Sequence, residues 1–574
     1  MTTRATDPGA GWSEPSGEKQ NKENCMTTKR IVMTTGSRIR TRLVTSLWAL
    51  LSVLVIVVAP GPASAATFTV TSTADDSGCN LKPIYASLGF GSCTLRGAIE
   101  AVNAQPKGTG PHRINFSIGS GDQTIVLSNA LPAIQRPVVI DGGTQPVVLW
   151  SNTGLTIGRT TTTCAAVNVN RHPCIQVNAH GLYKPSTPVL TLAGGYSTVR
   201  YLAIYNYGGI GTNDDGTGIL VTSDNNLIEY NYIGTDVRGV PGLSTTSTTC
   251  PTCAQQQGVA VHSPQGSAAN TVIRNNVISG NRQNGVLLSG LSVHNSQVVS
   301  NFIGTTADGI LAALPPDGDH FTCDNSQPQW GVSVKGGANN NWIQNNLISG
   351  NCNGVAIDAT DFPDPISPQT GFRTWNQVLG NLIGTDLNGT SCLPNVVPSQ
   401  LRYGVRISNA SSNSVGGTPG TVNVISCYFY GMTIEGTRTD QVARYDRVQG
   451  NDIGTNAGAG AKLGNNTGVL LSGQVTGTEI SGNVVANNGK DGINVNSVST
   501  DPQFNFVQNN TVSDNGVNGI VMQSGAIGNT VQSNTALGNH PDLTEYNSNT
   551  SPCPNTWLSN TFVTTGGVGQ SCIH

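Results

Sequence analysis

The chain has 574 residues, of which 11% are charged, 5% are aromatic and 70 are glycine, and its formal net charge is −3. Globular domains average about a quarter charged residues, so this balance speaks against a helical enzyme laced with surface charge. No basic stripe is present, which speaks against nucleic acid as a partner.

Arg38, Arg40 and Arg42 precede an apolar run, Leu43 to Ala59, and then "PGPASAA" with the small-residue signal Ala63-Ser64-Ala65. That order predicts a secretory signal peptide cleaved after Ala65. Left uncleaved, the run would serve as a membrane anchor, the one route to a bilayer. Met26 and Met33 are alternative starts for the long leader. Residues 1–65 are therefore leader and signal, 66–150 an N-terminal cap with the first coils, and 151–574 the repetitive body with its C-terminal cap.

"SCTLRGAIEAVNA" from Ser92 places Leu95, Ile99 and Val102 at helical spacing. Strand-like "RINFSI", "TIVL" and "PVVIDG" follow. Twelve cysteines lie beyond Ala65, in local groups: Cys79 and Cys93, Cys164 and Cys174, Cys250 and Cys253, Cys323 and Cys352, Cys392 and Cys427, Cys553 and Cys572. An even number in an exported chain suggests disulfides closing loops, with connectivity left open by sequence. Zinc at "CPTC" is the rival, but a second ligand pair at finger spacing is lacking.

A repeat dominates the rest. An Asn with an aliphatic or aromatic residue three before it and an apolar one two after it recurs at Asn231, Asn276, Asn301, Asn346, Asn381, Asn451, Asn483, Asn510, Asn534 and Asn560. Asn423 is a degenerate copy, and Leu202 an earlier copy without the Asn. The closest copies are about 25 residues apart, and each carries a further Gly-Φ-x-Φ element such as "GVLL" at Gly285 or "GINV" at Gly492. Three short strands in that length make one coil of an all-β parallel solenoid, about 12–14 coils in all. The Asn is expected where coils bend, stacked on its equivalents as a structural ladder. Open ends need caps. The helix from Ser92 serves at one end, and Trp557 and Phe562 close the other.

The chain here resembles the secreted bacterial right-handed parallel β-helix proteins of the pectin-lyase-like fold. "CTLRGAIEAVN" resembles their N-terminal CSLREA-type motif, with Thr94 and Gly97 as departures, and "NNVISGNRQNGVLL" and "YIGTD" resemble their coil repeats. The resemblance covers roughly Ala66 to His574. It implies the right-handed fold and export, and no particular reaction.

Four coils read "IGT" after the spine Asn, and in these the next strand is delayed: from Thr235 to Gly258, Thr305 to Gly331, Thr385 to Gly404 and Thr455 to Gly468. Loops should therefore leave one corner at alternate coils. The second holds Asp317, Asp319, His320 and Asp324 and leads to Trp330. Asp317, Asp319 and His320, with Asp358, are the candidate catalytic groups; Trp330, Asp324 and Gln344 are candidate binding groups. Asp361 and Asp364, in a separate acidic loop, are candidate calcium ligands. No cofactor is expected; these loops would suit a calcium or a sugar site. The residue two before each spine Asn (Glu229, Arg274, Gln344, Gln449, Gln508, Gln532) forms an outward stripe, with Glu229 and Arg274 paired across coils.

Related polygalacturonases carry "NTD", "DD" and "GHG" on successive coils; this chain has "NDDG" at Asn213 but no "GHG" and no following "RIK", nor the "DPH" of alginate epimerases. The leading expectation is an exported, monomeric scaffold that displays loops for binding polysaccharide or a cell-surface component. The alternatives are a lyase or hydrolase acting on acidic polysaccharide, and a purely structural envelope protein.

Overall fold

A two- or three-residue strand cannot pair within its own coil; its partner must come from the next one. The computed structural model describes residues 65–79, 92–152, 157–167, 172–180, 188–207, 216–240, 256–264, 266–313, 329–360, 372–393, 402–417, 420–437, 442–458, 460–496, 503–548 and 551–574. The expected signal segment lies outside them. They belong to one unit, Pro62–His574. Among them, no helix is long and apolar enough to cross a membrane.

Three parallel sheets of 15, 13 and 13 strands run along the molecule, as a right-handed β-helix. A representative coil supplies Gln297–Val299 to the first sheet, Phe302–Ile303 to the second and Trp330–Lys335 to the third. Register is one residue to one residue, so like side chains stack. The first sheet aligns Ile273, Val298, Ile343 and Val378. The second aligns Ile278, Ile303, Ile348 and Ile383, and the third Val259, Val286, Val332 and Val355. All twelve are fully buried. Burying each such side chain contributes roughly 1.5–3 kcal/mol.

The predicted ladder is present. Asn301 is typical: its backbone N–H donates to Asn346 Oδ1 at 2.9 Å. Its Nδ2 donates to the same oxygen at 3.0 Å and back to Ile273 O at 2.8 Å. The preceding residue, Ser300, has φ 55°, which turns the chain and leaves the Asn N–H without a strand partner. An amide repairs this because it accepts and donates at once. Asn423 is a full rung, bonded to Asn381, Asn451 and Val378 O. At the head of the ladder Leu202 needs no amide; its N–H simply donates to Asn231 Oδ1.

Two further ladders were not anticipated. One lies five residues before most of the spine and uses mixed letters, Ser296, Asn341, Asn376, Asn413 and Asp446, continuing through Asn505, Asn529 and Asn555. The other joins Asn465, Asn488, Asn515, Asn539 and Asp542.

Both ends are closed. Helix α1, Leu95–Asn103, buries Leu95, Ile99 and Val102. Thr94 caps it by accepting from Gly97 N–H at 3.0 Å. A Cβ on Gly97 would meet Gly78 O at 2.5 Å, so both motif departures have a steric or capping reason. Arg96 clamps the cap to Asp75 and to the carbonyls of Ala130 and Asn129. At the other end Trp557 is buried and donates to the buried Glu545 at 3.2 Å. Phe562 packs partly buried against the core. The antiparallel pair Pro146–Asn152 and Ile157–Thr163, and the short helix Cys164–Val167, stand outside the repeat. Disulfides join Cys79–Cys93, Cys164–Cys174, Cys392–Cys427 and Cys553–Cys572. Cys352 is also disulfide-bonded. Cys250, Cys253 and Cys323 lie outside the described residues.

Candidate functional site

The "IGT" corners are architecture. Thr235, Thr305, Thr385 and Thr455 are buried. The letter that follows caps its own turn: Asp236 accepts from the N–H groups of Arg238 and Val240, Asp386 from those of Thr390 and Ser391, and Asn456 from those of Gly460 and Ala461. Burial would raise the Asp386 carboxyl, but the Thr390 and Ser391 donors outweigh it and hold the group below its ordinary range. The stubs fold back over the second sheet. Val237 is buried there with Ala203, Tyr232 and Val277, and Phe302 and Ala307 pack against them.

Asp317, Asp319, His320, Asp324, Asp361 and Asp364 lie outside the described residues, as do Asn213, Asp214 and Asp215 of "NDDG". Trp330 is buried, its ring stacked on Tyr403 at 6.2 Å; Tyr403 stacks in turn on Tyr430 at 5.5 Å. Asp358 faces outward from the third sheet in register with Lys335, but its carboxylate accepts from the N–H and hydroxyl of Thr360. Two coils on, Glu435 is held by Arg406 and Ser408. Gln344 is half-buried on the first sheet.

The outward stripe holds more than its predicted pair. Arg274 meets Glu229 at 2.7 Å, Arg200 meets Glu229 at 3.6 Å, and Arg200 meets Asp141 at 2.7 Å. The hydrogen bond to Asp141 holds Arg200 more firmly protonated, against desolvation. Farther along, Gln532 donates to Gln508 at 2.7 Å, and Gln508 to Glu479 at 2.9 Å.

A different column was missed. At the corner leading into the first sheet, one residue per coil takes a left-handed conformation: Trp375, Ser412, Tyr445, Gly477, Phe504 and Gly528, with φ between 52° and 73°. Large rings alternate with small residues. Trp375 is 48% exposed, Tyr445 53% and Phe504 59%. A Cβ at Gly477 would meet Tyr445 Cδ1 and Cε1 at 2.8 Å, so the Tyr445 ring lies over the coil that lacks a side chain. Arg373 spans the gap before it, its guanidinium carbon 5.8 Å from the Trp375 centroid and 6.0 Å from that of Tyr445. Phe506, also exposed, lies beside Phe504 at the start of the adjoining strand. Rings on alternate coils recur every ~9.6 Å, twice the strand spacing.

Residues 380–569 match a family model described as "Periplasmic copper-binding protein (NosD)". Comparison with curated protein sequences finds no match. Among solved structures, the chain is similar to the A-module of a mannuronan C-5 epimerase from Azotobacter vinelandii (13% identity, 74% of this chain and 91% of that one, TM-score 0.36). It is similar to the catalytic unit of an α-1,3-glucanase from Streptomyces thermodiastaticus (13% identity, 81% and 69%, TM-score 0.37). A third is the N-terminal fragment of gene product 12 of bacteriophage Phi29 (11% identity, 82% and 72%, TM-score 0.41). These likenesses are of fold.

Copper needs imidazole, thiolate or thioether donors brought together. In the matched range Cys392, Cys427 and Cys553 are disulfide-bonded, and Met432 and Met522 are buried in the core. Among the described residues the one group of three metal-ligating side chains is Asp122, His172 and Cys174. It lies outside that range, and its cysteine is bonded to Cys164. The described donors do not fit a copper centre.

Proposed function

We propose that the protein is an exported β-helix that binds polysaccharide along its outer surface. One observation carries the reading: Trp375, Tyr445 and Phe504 expose large rings in line on alternate coils. Three large rings kept in water in one line, at the same position of alternate coils, form an ordered exposed column rather than single scattered apolar residues. A pyranose presents a flat C–H face of similar width, and covering a ring with it removes apolar area from water. The disulfides suit the oxidising compartment that export implies. Binding is favoured over cleavage because, among the described residues, the outward carboxylates Asp358 and Glu435 of the third sheet are engaged by Thr360 and Arg406, whereas glycoside hydrolysis needs two carboxyl groups free to act.

The test is retention of the secreted chain in gels containing acidic or neutral polysaccharides, with and without calcium, alongside an assay for new chain ends. Retention without product, lost in a Trp375→Ala/Tyr445→Ala/Phe504→Ala variant of unchanged circular dichroism, is the expected result. Release of unsaturated or reducing ends would make the protein an enzyme, and full retention by the triple variant would remove the column from the site.

A further inference from the structure

We infer that this column selects an extended, anionic glycan, with alternate sugars seated on Trp375, Tyr445 and Phe504 and an acidic group held on Arg373 between the first two rings. The inference rests on the polysaccharide-binding reading above and adds the charge and the step of the ligand. Arg373 is exposed and lies within cation–π range of both rings, yet among the described residues no carboxylate pairs with it. Several other arginines are neutralised: Arg200 and Arg274 by Asp141 and Glu229, Arg406 by Glu435, and Arg447 more loosely by Glu479 at 3.8 Å. A guanidinium lodged between two exposed rings is therefore placed to meet a ligand, and it presents the fork that carboxylates fit.

The step follows from the alternation of large and small. Ser412 and Gly477 leave their coils bare, so platforms recur every second coil, ~9.6 Å apart. In an extended β-1,4-linked chain successive sugars are turned over. One face therefore recurs once per disaccharide, a length comparable with two coils. Three rings then engage the first, third and fifth sugars of a chain lying along the helix axis.

Cello-oligosaccharides of two to seven sugars, and the same oligomers oxidised at C6 to glucuronates, differ only in charge. Their affinities are measured by calorimetry for the full chain, for Arg373→Gln and for Arg373→Lys. The expected result is tighter binding of the oxidised series by about tenfold. That preference should be abolished in Arg373→Gln and retained in part in Arg373→Lys. Affinity should climb at the third and fifth sugars and then level off. Equal affinity for both series overturns the anionic assignment while polysaccharide binding stands. A plateau at the disaccharide overturns the two-coil step. No binding of either series, together with no retention on any polysaccharide in the gel panel, defeats the underlying reading itself.

Discussion

Asp446 occupies a ladder position that its neighbours fill with Asn, and replacing it with Asn should stabilise the protein. Its Oδ1 accepts from Asn413 N–H at 2.8 Å and from Asn413 Nδ2 at 3.0 Å. Where an Asn would present a donating Nδ2 to the next coil, Asp446 presents Oδ2, fully buried and without a partner; Thr478 Oγ1, on the next rung, also lacks one. Burial pushes the carboxyl up from 3.8 to about 8, with the Asn413 donors only partly opposing it. The folded value exceeds the unfolded one, so the folded state holds the proton more tightly. Stability contributed this way is complete below 3.8, declines as pH rises, and is spent above about 8. At pH 7 the unfolded chain gains on the order of 4 kcal/mol by ionising this one group. Asp446→Asn removes that gain and supplies the missing donor. Urea unfolding followed by tryptophan fluorescence at pH 4, 6 and 8 reads the effect. The variant's advantage should be small at pH 4 and grow to a plateau near pH 8, and an infrared band of a protonated carboxyl should vanish with the substitution. Parallel pH profiles for the two proteins would refute the reasoning, because they would mean Asp446 titrates alike folded and unfolded.

Asp542 should respond in the opposite way. Its two oxygens accept from Asn539 and from the N–H groups of Val563 and Thr564; burial would raise its carboxyl, but these donors hold it below the ordinary value. Asp542→Asn turns an amide NH₂ toward existing donors, so it should cost roughly 1–3 kcal/mol at pH 7 in the same urea assay, narrowing as acid protonates the wild type. Asn346→Ala strands Asn301 N–H and Nδ2 together; a loss of about 3 kcal/mol or more is expected, read as a lower urea midpoint. Gly477→Ala should cost about 1–2 kcal/mol for a left-handed alanine yet weaken polysaccharide retention disproportionately, because its Cβ lifts the Tyr445 ring.

The spine was legible because one letter serves it. Only an amide can accept from the coil behind and donate to the coil ahead, so Asn recurs with little substitution. The second ladder keeps an acceptor at each rung but tolerates the loss of the donor at some, so Ser296, Asn413 and Asp446 all serve, and no recurring letter betrays it. The aromatic column could have been found. Trp375, Tyr445 and Phe504 each stand six residues before a spine Asn. The signal was diluted by Asn225, Asn270 and Asn340 at the same offset in other coils, and Ser412 fell out of step because extra residues precede Asn423. Delayed strands revealed where loops depart. Nothing in their composition revealed that the stubs would build a second apolar layer on the sheet, since Val237 and Ala307 look like ordinary loop residues.

Three of the four "IGT" excursions are also tied off at their roots among the described residues. Antiparallel bridges join Thr305 to Ala312, Thr385 to Cys392 and Thr455 to Lys462. Ala313, Leu393 and Leu463 donate back to the carbonyls of Gly304, Gly384 and Gly454. The chain is thus returned to the same place after these three stubs, before any further length is spent. Insertions beyond that knot do not shift the register of the coils above. Evolution can lengthen, shorten or exchange these segments one at a time, and a designer can graft foreign peptides there, without renegotiating the fold.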